Sequence, residues 1–361
     1  MRIFHCDHCG KLVFFENTVC GNCAHALAYI PDLKLLVSLD PTGNSDAHGP
    51  LHTTPVRQSE GRTYRMCANY TKHNVCNWGV ASDDPNEFCL SCRLTRIIPD
   101  LDSPDNKAAW YKLEIAKRRA VYSLIEHALP LHNKVEDTVG GLAFQLKADQ
   151  PGGPRVLTGH EDGVITLNID EADDVRREAR RISMHEPYRT LLGHFRHEIG
   201  HYYWDRLIQS SPRLDAYRQL FGDERADYAA ALKLHYENGP RPNWSERFVS
   251  AYASVHPWED WAETWAHYLH MTDTLETAAA CGLSLQPERA DEPGMEKPPL
   301  KPAHRQSFDE IIKSWFPLTY VLNNLNRGMG LADAYPFVLP PAAVDKLRFV
   351  HETICMESTA G

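Results

Sequence analysis

Apolar positions change their spacing near residue 100. Before that point, short runs such as LKLLVSL (33–39) stand between turn-forming residues, the pattern of short strands. After it, AAWYKLEIAKRRAVYSLIEHAL (108–129) sets Trp110, Leu113, Ile115, Val121 and Leu124 at helical spacing. Ser103-Pro104-Asp105 supplies a helix start. The domain boundary is therefore placed in RIIPDLDSPDN, giving regions 1–97 and 98–361.

Within the second region, RVLTGHEDGVITLNID (155–170) reads as a hairpin turning over GHEDG, with Ile165, Leu167 and Ile169 on one face. Charged helical sequence follows. HFRHEIGHYYWD (194–205) carries an apolar stripe of Leu192, Phe195, Ile199 and Tyr202, so it reads as an amphipathic helix. Helical spacing returns over 212–236, is broken by NGPRPN, and resumes from Pro257 to about Met271. The proline-rich segment 287–302 reads as an exposed loop. Ser307 and Glu310 form a capping-box pattern for the last long helix, and NRGMGLADAYPFVLPP (326–341) reads as a loop. The expected fold class is α+β: a small β-rich region followed by a mainly helical domain.

Composition narrows the picture. The chain has 361 residues, 43% hydrophobic and 24% charged, which suffices for a substantial core. The net charge of −10 argues against nucleic acid as a partner. The N-terminus lacks a signal-peptide pattern and no run approaches membrane-spanning length, so a cytoplasmic location is expected.

Eight of the ten cysteines fall before residue 93. Cys6, Cys9, Cys20 and Cys23 make two CxxC knuckles, the spacing of a closed four-thiolate zinc site. Cys67, Cys76, Cys89 and Cys92 form a looser second group, in which His73 competes for a place. Both groups are expected to hold structural zinc and to brace a region with little apolar sequence. Such ribbons can also present a surface to a protein partner.

The remaining chemistry lies in the His-Glu-Ile-Gly-His motif. Residues four apart share a helix face, so His197 and His201 can direct ring nitrogens at one ion. Glu198 leans over the open side of that ion, where a general base for water belongs. Asp205 is a candidate outer acceptor, and Gly200 allows a close neighbour. With 19 histidines, chance alone produces this motif in roughly one such chain in fifteen, so a third ligand is needed. Glu259 and Glu263 share a face of the helix that follows Pro257. One can bind the metal while the other orients a ligand histidine. Asp260, His267 and His270 are rivals on the same segment, and helical spacing does not choose among them.

These residues resemble the gluzincin metallopeptidases, which pair HExxH with a downstream E-x-x-x-D/E helix. The resemblance implies Glu259 as the third zinc ligand and Glu263 as the partner of a ligand histidine, most simply His197. The E-x-x-A-E form is similar to the lethal-factor type, which places a catalytic tyrosine seven residues before the glutamate ligand, where Tyr252 stands. Across most of its length the chain resembles bacterial zinc-binding metallopeptidases with an N-terminal zinc ribbon. That resemblance implies a zincin-like domain with a small mixed sheet, one catalytic and two structural zinc ions, and a peptide or protein substrate. It also implies a substrate-pairing edge strand, assigned to GVITLNI. Two other readings use the same residues: a zinc hydrolase of a non-peptide amide, and a ribbon binding module on a zincin scaffold. Arg327 and Tyr335 are candidates for the cleft wall or for packing.

Overall fold

A computed structural model describes residues 2–150, 152–183, 190–296 and 303–360. The chain begins with the hairpin β1 (Phe4–His5) and β2 (Leu12–Val13). An antiparallel sheet follows in sequence order: β3 (Ala26–Ile30), β4 (Leu35–Asp46), β5 (Gly49–Thr53), β6 (Tyr64–Met66) and β7 (Gly79–Ala81). A short helix α1 (Ala68–Thr71) joins β6 to β7. A bridge between Tyr29 and Trp78 draws the first and last strands together.

The second sheet has the order β10-β11-β9-β8, from β8 (Thr95–Ile97), β9 (Ala143–Lys147), β10 (Gly159–Glu161) and β11 (Val164–Asn168), with α2 (Pro104–Glu126) between β8 and β9. It is mixed: β8, β9 and β11 run parallel and β10 runs antiparallel. Its first strand comes from residues 95–97, just before the expected boundary. The hairpin turn is tighter than GHEDG, because Asp162 and Gly163 both take positive φ and close a two-residue turn. The strand in GVITLNI is β11, which lies inside the sheet. The edge strand on that side is β10, because Gly159 and His160 pair instead of turning.

The helices are α3 (Asp174–Ser183), α4 (Leu191–Leu207), α5 (Leu214–Phe221), α6 (Tyr228–Asn238), α7 (Pro257–Ala280), α8 (Phe308–Gly328) and α9 (Pro341–Ala360). The helical region expected over 212–236 is two helices, since Gly222 at φ 108° ends α5. α7 runs well past Met271. α9 was not expected, although Leu347, Val350 and Ile354 bury one of its faces. The Ser307–Glu310 capping box is present. Residues 297–302 of the expected proline-rich loop lie outside the described residues.

α4 and α7 cross at Gly200. A Cβ there would stand 3.0 Å from Ala262 Cα, so glycine sets the approach of the two helices. Trp261 Nε1 donates to Gly200 O at 2.8 Å, and Trp265 stacks on Tyr203. α2 ties the two regions into one core. Its Tyr122 packs against Phe15 and Tyr29, and Arg119 pairs with Glu16 at 2.6 Å. No helix among the described residues is long and apolar enough to cross a membrane.

Candidate active site

Two helix starts set the site. Thr190 caps α4 by accepting from Gly193 N at 3.0 Å. The His256 ring caps α7 by accepting from Trp258 N at 3.1 Å, and Pro257 fills the first turn. The rigid α4–α7 crossing then brings His197, His201 and Glu259 together, all buried. His197 Nε2 lies 3.0 Å from Glu259 Oε2 and 3.2 Å from His201 Nε2, and His201 Nε2 lies 3.5 Å from Glu259 Oε2. A tetrahedral ion with bonds of about 2.0–2.1 Å needs such atoms roughly 3.3 Å apart.

The hydrogen bonds aim these atoms. His197 Nδ1 is 2.8 Å from Glu263 Oε1, and donation there leaves the Nε2 lone pair facing inward. Ser250 Oγ donates to Glu263 Oε2 at 2.6 Å, so that carboxylate is fixed at both oxygens. Tyr228 donates to Glu259 Oε1 at 2.6 Å, while Glu259 Oε2 is buried and faces only His197 and His201 among the described residues. The Trp258 ring lies against His201, with centroids 3.7 Å apart.

The charges agree with this geometry. Burial disfavours a charged His197, but Glu259 and Glu263 outweigh it and hold the ring well above the usual histidine range. Burial likewise disfavours a charged Glu259, but His201 and His197 hold it well below the carboxylate range. An imidazole–imidazole–carboxylate set of this size fits zinc.

A cavity of about 720 Å³ opens beside the trio and is lined by Glu198, Tyr252, Glu263 and His194. Glu198 is buried, with His194 Nε2 3.9 Å from its Oε1. The Tyr252 ring lies 6.0 Å from that of His197. Residues 155–158, which lead into the edge strand β10, also line it.

The rivals sit elsewhere. Asp260 is fully buried and pairs with Lys346 at 2.6 Å; burial pushes its carboxyl up to about 7. His267 and His270 line the cavity further along α7, and His267 Nδ1 meets Tyr335 Oη at 2.7 Å. Asp205 lies 3.8 Å from His160 Nε2, and burial raises its carboxyl to about 6. His201 Nδ1 has no hydrogen-bond partner among the described residues. Tyr335 is buried in the cavity wall, held at its backbone by Asn323, whereas Arg327 pairs with Asp333 on the surface.

The cysteines form two separate groups. Cys6, Cys9, Cys20 and Cys23 converge, with Cys6–Cys23 and Cys9–Cys20 sulfurs 3.7 and 3.6 Å apart. Cys67, Cys76, Cys89 and Cys92 converge as a buried set, with Cys76–Cys89 at 3.7 Å. Zinc–sulfur bonds of about 2.3 Å require roughly 3.8 Å between thiolates. Backbone amides of Trp78 and Cys89 donate to the sulfurs of Cys76 and Cys67. His73 is outside the group, its ring against Trp110.

Tyr228, Ser250 and His194 were not singled out in the sequence. Ser250 and Tyr228 lie outside both motif helices and follow no spacing rule. His194, one turn before Glu198, was legible from helical periodicity.

Comparisons with known proteins agree with this geometry. Residues 106–353 match a family described as "putative zinc-binding metallo-peptidase", and residues 3–103 match a zinc-ribbon domain. Uncharacterized proteins from Mycobacterium bovis and Mycobacterium tuberculosis are each 45% identical over 356 residues, covering 98% of this chain and 95% of theirs. No solved structure matches. With more than half of its length matched, the chain belongs to this zinc-binding metallopeptidase family and carries the zinc-ribbon domain at its N-terminus.

Proposed function

We propose that the chain is a gluzincin-type zinc peptidase with one catalytic and two structural zinc ions. The observation that carries this reading is the convergence of His197, His201 and Glu259 beside a cavity that Glu198 also lines. When bound, zinc supplies Lewis acidity, which eases loss of a proton from water and polarises a carbonyl.

The chain's residues do the rest. His197, His201 and Glu259 hold the ion, and Glu263 with Ser250 fixes the His197 ring. Glu198 takes a proton from the attacking water on its carboxylate and returns it to the leaving amine. Tyr252, in the lethal-factor position, donates from its hydroxyl as charge develops on the carbonyl oxygen. Burial and nearby Glu259 keep that phenol well above its ordinary range, hence protonated. Residues 155–158 offer an extended wall along which a peptide backbone can lie.

The test is Glu198→Gln, assayed on a broad peptide library and a panel of small amides. Zinc content of about three per chain is expected to persist while peptide hydrolysis falls by roughly 10²–10⁴-fold. Turnover at the wild-type rate would overturn the assignment of Glu198. Cleavage confined to the small amides would replace the peptidase reading.

A further inference from the structure

α6 is built differently from the helices around it. It buries none of its residues. Asp227 caps its start, and Gly239, at φ 79°, ends it. Leu234 and Tyr236 are exposed, yet His235 and Tyr236 also line the cavity. A helix with so little buried surface draws its position from specific contacts. One of these is the Tyr228 hydroxyl at its first residue, which donates to Glu259 Oε1 at 2.6 Å. The Tyr228 ring also packs edge-on against His256 and Trp258. At the other end of α6, the His235 ring meets Tyr252 at 5.9 Å.

We propose that Tyr228 is a positioning residue for Glu259, and that through it α6 docks over the cleft when the His197–His201–Glu259 site is filled. This rests on the reading that those three residues hold zinc. A carboxylate with one oxygen held by a phenol presents the other as a single, directed ligand. Because the same hydrogen bond anchors α6, metal binding and helix docking share free energy, and each strengthens the other. Docking also brings His235 and Tyr236 into the cavity wall and His235 against Tyr252, so the filled site and the substrate cleft are completed together.

The experiment uses the full chain and zinc alone. Zinc affinity is measured by competition with a chromophoric chelator for wild type, Tyr228→Phe and Lys233→Gln. Backbone hydrogen exchange over 228–238 is followed with and without zinc at the third site. Phenylalanine keeps the ring packing and removes only the hydroxyl. Tyr228→Phe is expected to weaken the third zinc roughly 10–100-fold and leave the two cysteine-bound ions in place. Lys233→Gln, on the exposed side of the same helix, should stay within about twofold of wild type. Zinc should slow exchange over 228–238 in wild type and not in Tyr228→Phe. Equal affinity in wild type and Tyr228→Phe, or equal slowing in both, overturns the proposal. A wild-type chain that takes up only the two cysteine-bound ions overturns the zinc-site reading itself, and the proposal with it.

Discussion

The cysteine clusters and the histidine–glutamate site use similar ion-sized spacing for opposite ends. Each cluster surrounds an ion-sized point with four sulfurs, closed to further ligands and braced by backbone amides or knuckle turns. The histidine–glutamate site offers three donor atoms and opens on its remaining side into a cavity lined by Glu198. The clusters flank a region whose own core is small, built on Ala28, Ile30, Val37, Leu39, Tyr64 and Met66, and α2 joins that region to the main core. The open site is held instead by helix packing and by a layer of hydrogen bonds from Glu263, Ser250 and Tyr228. On the proposed reading the closed site works as a staple and the open one as a reaction centre, and donor number is the physical distinction.

This contrast is sharpest where a ligand is removed. Cys76→Ser should release one zinc ion and destabilise the chain by on the order of 5 kcal/mol or more, seen as lost thermal cooperativity and rapid proteolysis of the N-terminal region. A stable, fully folded variant lacking that ion would end the view of the cluster as a staple. In the open site, Glu263→Ala should leave the fold intact and weaken only the third zinc, by roughly 10–100-fold in chelator competition. Loss of a cysteine-bound ion in that variant would show that the regions are not independent. The smallest expected effect comes from a pair of glycines. Gly200→Ala forces a methyl against Ala262 and Trp265 and should cost about 1–3 kcal/mol by thermal or denaturant unfolding. Gly21→Ala, in a knuckle with open space around it, should change stability by less than about 0.5 kcal/mol. Equal effects at the two glycines would remove close helix packing as the basis of the open site.

Legibility followed the range of the interaction. Although His73 still competed for a place in the second cysteine group, the two knuckles of the first close over a few residues, so their grouping was readable from spacing alone. The same holds for the Ser307 capping box and for His197 and His201 one helical turn apart. The edge strand was misassigned because Gly159 and His160 read as turn residues, and only their pairing with β11 makes them a strand. The break between α5 and α6 depended on the unusual backbone at Gly222. Asp260 could not be rejected as a ligand until Lys346, on a helix that was not expected, appeared beside it.

Taken by itself, the sequence determined the α+β class, the two four-cysteine groups, the two-histidine helix face with its adjacent Glu198, and a short set of candidates for the third ligand. These are properties of nearest neighbours and helical turns. Tertiary structure decided which acid meets the histidines, because the glycine at position 200 lets α7 approach α4 with Glu259 toward His197 and His201. It also decided that Glu263 faces His197 Nδ1 and that Tyr228 donates to the other oxygen of Glu259. Those choices depend on the crossing of two helices and the docking of a third. Such geometry is set by side-chain volumes across the interface, and spacing along one chain segment carries no record of it.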